Sequence, residues 1–531
     1  MNALVPLVVA GPLLAAAGTA LMGGRPGARR AVGLAVSGAV LLGAVLLVVA
    51  TRDGDVLVAQ VAGWPAGIAI PFAADLLSAL MITVTALLTT TCLAFAAAAG
   101  DDRDRWFVPL ALVLSGGVYG AFVTADLFNL FVLIEVALIP SYVLLTRSGG
   151  RDALTAGRVY VTVSLLASTV FLAGVALVYG VAGTVNLGEL AGAAQESPAV
   201  ALAAGAVLVS LGVKAALVPA HGWLPRSYPY ASPAVTALFS GLLTKVGVYA
   251  FFRVYAVVFD GDPSLSTLLL VIMLATMVVG VLGALGQNTM RSILVFHMIS
   301  QVGYIMLGLA FFGPLGMAAA IFYLLHHTVV KASLFLSTGA IEVAHGTGRL
   351  SRLGGELRRH PVLGLAFLVG ALSLAGIPPF SGFFAKFILV SAAISEQAYL
   401  AAALAVVVSL FTLLSMMKIW NAVFWGRAPG EAAPTPPPAA PSATASPVGP
   451  DGRKEASTAL VEHAPVEDSD TARRRTPIEL SRIPLRLVLP GLFLALVSVA
   501  VGLGAEGLLS LAQTAAEGLV DPAAYVQAVL G

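Results

Sequence analysis

Apolar residues run through this chain in long blocks, separated by short polar, basic or Gly/Pro-containing stretches. A run of about 18 or more apolar residues can cross a bilayer as a helix. Such runs fall near 3–22, 31–50, 71–99, 106–124, 126–146, 157–181, 198–219, 233–258, 264–286, 290–312, 314–340, 361–396, 398–425 and 486–508. An open sheet would leave backbone amides unsatisfied in hydrocarbon, and the runs lack the short alternation of a membrane barrel. The pattern predicts an all-α integral membrane protein with about fourteen transmembrane helices. The first run has no basic flank and is long for the core of a signal peptide, so it is read as a spanning helix.

Basic residues mark the orientation. With the N-terminus outside, the inner loops hold Arg25, Arg29 and Arg30, then Arg103 and Arg105, Arg147 and Arg151, Arg291, and finally Arg349, Arg352, Arg358 and Arg359. The outer loops hold Arg52 among Asp53, Asp55, Glu189, Glu196, Asp260 and Asp262. This is the positive-inside pattern of a cell-membrane protein, and it puts both termini outside. Residues 426–480 break the rhythm, because this Pro-, Ala-, Ser- and charge-rich stretch has no apolar period. It reads as a disordered cytoplasmic linker, a spacer before the last helix, with a docking role for the Arg run at 473–475 as the other reading. The last fifteen or so residues suggest a short surface helix.

Composition narrows the function classes. The 531 residues are 59% hydrophobic and 11% charged, against about 25% charged in soluble chains. A net charge of +2 gives no field for nucleic acid. The single cysteine, Cys92, excludes an internal disulfide and a cysteine metal cluster.

The informative residues are charges inside the spans. Glu135 sits in the middle of one run, Lys214, Lys245 and Lys386 lie deep in three others, and His297, His326, His327 and Lys331 add to them. Burying one such charge costs at least ~2.5 kcal/mol. Three mid-span lysines facing one deep carboxylate cannot all be neutralised by pairing. Desolvation disfavours the charged form of each group and pairing restores it. A lysine that alternates between Glu135 and isolation therefore binds and releases a proton. His327 and Lys331, four apart, share a helix face, while His326 points about 100° away. His326 is read equally as a packing or interhelical hydrogen-bonding residue. A metal site at the paired histidines is disfavoured, since adjacent histidines diverge and no carboxylate completes a ligand set. Lys418, Arg253 and Asp75 lie near span ends, where they are expected to reach the headgroups.

Two spans carry breaks. Pro219 and Pro225 follow Lys214, and Pro378 and Pro379 precede Lys386. Proline removes an amide donor, and opened helices at membrane depth are tolerated where they line a wet cavity. Paired breaks in corresponding positions indicate an inverted-repeat transporter. The division is then residues 1–105 (three N-terminal helices), 106–258 and 259–425 (two five-helix repeats, with helices 7 and 12 discontinuous), the 426–480 linker, and 481–531 (last helix and tail).

The stretches "FNLFVLIEV", "KAALVPAHGWLP", "LLTKVGVYAFFR", "HHTVVKASLFLSTG" and "GIPPFSGFFAKF" together resemble the antiporter-like subunit family, over about residues 70 to 425. The family is shared by Mrp-type sodium/proton antiporters and proton-pumping NADH:quinone oxidoreductase (complex I), and the first and third motifs resemble its Mrp D-type branch. The resemblance implies that Glu135 and Lys214 are the charge pair of a first half-channel. It makes Lys245 the connecting lysine, puts His327 and Lys331 on a central hydrophilic axis, and makes Lys386 the terminal lysine of the second half-channel. One complex I relative typically has glutamate where Lys386 stands. Tyr323 stands where some relatives place a second histidine. The implied partners are a second antiporter-like subunit, small hydrophobic subunits, lipid, protons and sodium or another monovalent cation, with no cofactor and no nucleic acid.

Two functions follow: a proton-translocating subunit of a multisubunit cation/proton antiporter, or a proton-pumping subunit of complex I. The chain has no Rossmann fingerprint, P-loop or cysteine cluster, so a redox step would belong to partners. No catalytic triad or paired acids support a membrane enzyme. Deleting residues 430–475 is expected to leave transport near wild type; loss of transport by correctly inserted protein would refute the spacer reading.

Overall fold

The computed structural model describes residues 1–60, 70–427 and 482–531. The linker expected at 426–480 lies, from residue 428 on, outside the described residues. The chain begins with α1 (Leu4–Leu21) and α2 (Pro26–Thr51), then an antiparallel pair of short strands, β1 (Leu57–Gln60) and β2 (Pro71–Ala74). Next come α3 (Leu76–Ala99), α4 (Phe107–Val123), α5 (Leu127–Thr146), α6 (Gly150–Ala182), the short α7 (Ala193–Glu196), α8 (Pro198–Ala215) and α9 (Trp223–Ser227). The middle of the chain forms α10 (Pro233–Val258), α11 (Ser266–Leu285), α12 (Met290–Ala310) and α13 (Pro314–His345). After α14 (Glu356–Arg359) follow α15 (Pro361–Ala375), α16 (Ser381–Ser395) and α17 (Tyr399–Ile419), then α18 (Leu485–Leu503), α19 (Ala505–Val520) and α20 (Ala523–Leu530).

Among the described residues, twelve helical stretches are long and apolar enough to cross a membrane. Phe107–Val123, Pro361–Ala375 and Ser381–Ser395 are apolar but shorter. The run expected to span from residue 71 starts as strand β2, and α3 begins only after Asp75, whose carboxylate caps it by accepting from the Ser78 amide. Side-chain oxygens of Asp126, Ser197 and Thr289 do the same for α5, α8 and α12, each satisfying an amide that the first helical turn leaves open.

Two helices form the axis of the bundle, α10 and α13, and their apolar windows are wholly buried. Helix α13 packs against α3, α10, α12, α15, α16, α18 and α19, so a side chain at its centre meets protein on every side. By contrast, α1, α2 and α6 keep most of their apolar surface outward.

Both expected breaks exist, with one shift of position. Helix α8 stops at Ala215, Ala216 adopts a left-handed conformation (φ 64°), and the chain resumes helically at Trp223. Pro219 lies in that gap, but Pro225 sits inside the first turn of α9. It does not interrupt a helix, because a first-turn proline gives up an amide that has no intrahelical partner. In the second break, α15 stops at Ala375, Gly376 is left-handed (φ 87°), and Pro378 and Pro379 precede α16.

The last residues do form a short, largely exposed helix, α20, anchored on β1, β2 and α19 through Tyr525 and Val529, while α19 before it lies against α13 with Ala512, Ala515, Ala516 and Leu519 buried. One expectation at span ends fails. Asp75 and Arg253 do not reach outward to headgroups. Arg253 is 1% exposed and donates to Asp75 at 2.5 Å, because the tail helices and the strand pair close over that end of the bundle.

A Cβ at position 376 would lie 2.7 Å from Lys386 Cδ, in a backbone conformation that L-residues disfavour. Gly376→Ala is expected to cost about 1–2 kcal/mol from the left-handed conformation, read as a lowered melting temperature of the purified assembly.

Candidate functional site

Glu135 lies two turns into α5, facing α6, and Lys214 occupies the last turn of α8, beside the first break. The structure brings them together through a residue the sequence did not single out. Lys214 Nζ donates to Ser168 Oγ at 2.9 Å, Ser168 donates to Glu135 Oε1, and the direct Lys214–Glu135 separation is 3.5 Å. Ser168 belongs to α6, so the hydroxyl stands between the two charged helices. A cavity of about 20 Å³ borders Lys214, lined among others by Tyr160, Ser164 and Trp223, which is room for about one water.

The position of Lys214 follows from the break. Where α8 stops, the Ala216 and Leu217 amides and Trp223 Nε1 take up the Gly212 and Val213 carbonyls, and the negative end of the helix dipole lies there. A cation in the last turn stabilises that end.

Lys386 repeats this arrangement in the second break. Although it sits on α16, its Nζ donates to Ala375 O, the terminal carbonyl of α15, at 3.0 Å, and to Ser409 Oγ of α17 at 2.8 Å. The Tyr304 ring lies 5.0 Å from the same Nζ. Each break therefore has a buried lysine beside it, Lys386 held by the terminal carbonyl of α15 and Lys214 by Ser168 and Glu135.

Between the breaks, Lys245 on α10 is fully buried, and its Nζ donates to the neighbouring Thr244 Oγ1 at 3.2 Å. Helix α10 reaches the end of α8 closely enough that a Cβ at Gly247 would sit 3.0 Å from the Ala215 amide nitrogen. On α13, His327 and Lys331 are wholly buried, and the two imidazole nitrogens and the ammonium have no hydrogen-bond partner among the described residues. Lys245 is near enough to both for their charges to interact. His297 of α12 interacts in the same way with Lys331 and Lys386, and its Nε2 is hydrogen-bonded to Ser415 Oγ at 2.5 Å. The buried titratable groups Lys245, His327, Lys331, His297, His326 and Lys386 thus form one electrostatically coupled cluster between the breaks. Like charges in one low-dielectric region cannot all be ionised together.

Other residues take supporting places. Tyr323 donates to Gln301 Oε1 at 2.5 Å and stacks on Tyr304, so where a second histidine was considered there is a hydrogen-bonded phenol. His326 turns away from His327, to Ser381 Oγ at 2.7 Å, at the first residue of α16. Lys418 caps the end of α11 through the Leu285 and Gln287 carbonyls at 3.0 and 2.6 Å. Ser168, Ser409 and Ser415 were not foreseen; the only signal is a hydroxyl in an apolar helix, which by itself does not name a partner across helices. Among the described residues, no group of three His, Cys, Asp or Glu is arranged to hold a metal.

Residues 124–412 match the family model described as NADH:quinone oxidoreductase/Mrp antiporter, transmembrane. A protein named as the D component of a Na(+)/H(+) antiporter from Alkalihalophilus pseudofirmus is 41% identical over 434 residues, covering 80% of this chain and 88% of that protein. A chain in the structure of the Mrp complex from Dietzia sp. superposes with TM-score 0.89 at 50% identity, covering 100% of this chain and 99% of its own length. A chain of respiratory complex I from Thermus thermophilus superposes with TM-score 0.70 at 26% identity, covering 94% and 98%. The likeness is stronger on the Mrp side in both sequence and structure. The chain belongs to the NADH:quinone oxidoreductase/Mrp antiporter family, in its Mrp D-type branch.

Proposed function

We propose that this chain is the proton-translocating membrane subunit of a multisubunit monovalent cation/proton antiporter, with sodium, the ion in its relative's name, as the exchanged cation. The observation that carries the proposal is the Glu135–Ser168–Lys214 bridge set at one helix break, with the series of buried cations leading from Lys245 to a second lysine at the other break. When Lys214 leaves Glu135, burial disfavours its ammonium and a proton moves on; when the pair re-forms, the ammonium is favoured again. Repulsion along Lys245, His327, Lys331, His297 and Lys386 makes occupancy sequential, and water between the groups completes the path.

The finer layout belongs to the same proposal. Phe107–Val123 and the broken pair Pro361–Ala375 and Ser381–Ser395 each complete a span, bringing the twelve long helices to about fourteen. Residues 106–258 and 259–425 then form the two inverted repeats, each with a lysine at its break, after the N-terminal unit 1–105 and before the terminal unit 481–531. The arginine-rich ends face the cytoplasm, both termini face outward, and the host membrane is the cell membrane. The partner subunits include a second antiporter-like chain and small hydrophobic ones, and the sodium path is a candidate to run through one of them.

Replacing Glu135 or Lys214 by alanine is expected to abolish sodium-driven proton movement in vesicles while the complex still assembles; normal flux in either variant sinks the relay. Ser168→Ala keeps both charges and removes the bridging hydroxyl. Its turnover is expected to fall about tenfold, the scale of one hydrogen bond to a charged group, and unchanged flux would show that the bridge is dispensable.

A further inference from the structure

Helix α10 carries three polar residues one turn apart on one face: Lys245, Tyr249 and Arg253. The first belongs to the series already described, whereas the other two lead out of it. Tyr249 OH lies 2.8 Å from Ser78 Oγ, and Ser78 Oγ lies 2.7 Å from Asp75 Oδ1. Arg253 Nη2 donates to the other Asp75 oxygen at 2.5 Å and approaches Tyr249 OH at 3.3 Å. Tyr249 OH also has the Phe122 carbonyl at 2.5 Å.

We propose that Tyr249 and Ser78 form a hydroxyl wire that takes protons from the central lysine Lys245 to Asp75, the release carboxylate at the outer end of the bundle. This deepens the proposed function and rests on it.

Four observations carry the assignment. First, the hydroxyl protons have more acceptors than they can serve. Ser78 has one hydrogen and faces both Asp75 and Tyr249; Tyr249 has one hydrogen and faces both Ser78 and Phe122 O. Such a set has two arrangements: in one, Tyr249 donates to Ser78 and Ser78 to Asp75, so a proton can hop along it, and turning the hydroxyls resets the wire. Second, the ion pair is poorly built as a static clamp. Arg253 uses one nitrogen on Asp75, and its Nε and Nη1 have no hydrogen-bond partner among the described residues, whereas a well-formed buried arginine–carboxylate pair is typically bidentate. Third, the wettest member is the terminal one: the Asp75 side chain is 12% exposed and that of Arg253 is 2%. Fourth, Asp75 stands at the opposite end of α3 from the Arg30–Asp102 and Arg147–Asp101 pairs of the arginine-rich side. The positive-inside pattern makes that end the outer one.

The transfer balances as follows. The Lys245 ammonium, whose hydrogen-bond partner is Thr244 Oγ1, gives one proton through intervening water to Tyr249 Oη, as the Tyr249 hydroxyl proton passes to Ser78 Oγ. The Ser78 proton passes to the Asp75 carboxylate. Asp75 loses it to outer water, assisted by the Arg253 guanidinium, which favours the carboxylate; the hydroxyls then turn back. The titratable and charged groups facing Asp75 are Arg253 and Tyr249 from α10 and Tyr525 from α20, whose ring lies 4.4 Å from the guanidinium.

The test uses the assembled complex in membrane vesicles, with Tyr249→Phe, Ser78→Ala, the double variant and Lys214→Ala, flux being normalised to assembled complex. Either single variant is expected to lower proton turnover by about 10²-fold, the low end for a positioned proton-transfer group. The KM for sodium should be unchanged and the dependence on external pH altered. The double variant should be no worse than either single, because both break one wire. Wild-type turnover in Ser78→Ala, where Lys214→Ala has lost transport, overturns the exit while leaving the relay standing. A loss that leaves the external-pH profile unchanged marks a structural clamp and also overturns it. Normal flux in Lys214→Ala removes the relay and the exit with it. Should Tyr249→Phe fail to assemble, Ser78→Ala decides alone.

Discussion

Hydrocarbon tolerates neither an unpaired carbonyl nor an unpaired charge, and this protein answers each with the other. A helix that stops at membrane depth leaves its last carbonyls open, and a lysine at the same depth lacks a carboxylate. Lys386 on Ala375 O brings the two together directly, whereas Lys214, in the last turn of α8, is held by Ser168 and Glu135 instead. The left-handed residues at the breaks, Ala216 and Gly376, are where the chain turns out of the first half-helix, so the breaks and the lysines form one structural device.

The rest of the bundle keeps that device weakly coupled to its surroundings. Helices α10 and α13 are sealed on every side, and their cations meet aromatic rings, hydroxyls and one another, with Lys331 Nζ 5.7 Å from the Phe335 ring. A fully satisfied network would hold its protons in place. Among the described residues the nitrogens of His327 and Lys331 have no hydrogen-bond partner, so no fixed acceptor pins a proton on either group.

The Asp75–Arg253 pair shows how tertiary packing reassigns a residue. From the sequence, both sit near span ends, and long side chains at such positions normally reach water. The strand pair and α20 cover most of that end, so the charges turn inward to each other and leave only an edge of the Asp75 carboxylate open. The linear pattern contains no sign of it, since the covering segment lies some 270 residues further along the chain from Arg253.

What the sequence determined by itself was everything that depends on local order along the chain. Run length gave the helical membrane class, arginine spacing gave the expected sidedness, and proline next to an intramembrane lysine located the breaks. The charged residues stand out because hydrocarbon makes each one costly wherever it points. Only the tertiary structure decided which groups meet: Ser168 between Glu135 and Lys214, Ser409 and Ala375 O on Lys386, Ser415 on His297. A serine in an apolar helix is locally silent, because it can satisfy its hydroxyl on its own helix carbonyl, as Thr85 and Ser227 do. Whether it instead serves a charge on another helix depends on rotation and packing, which no local pattern encodes.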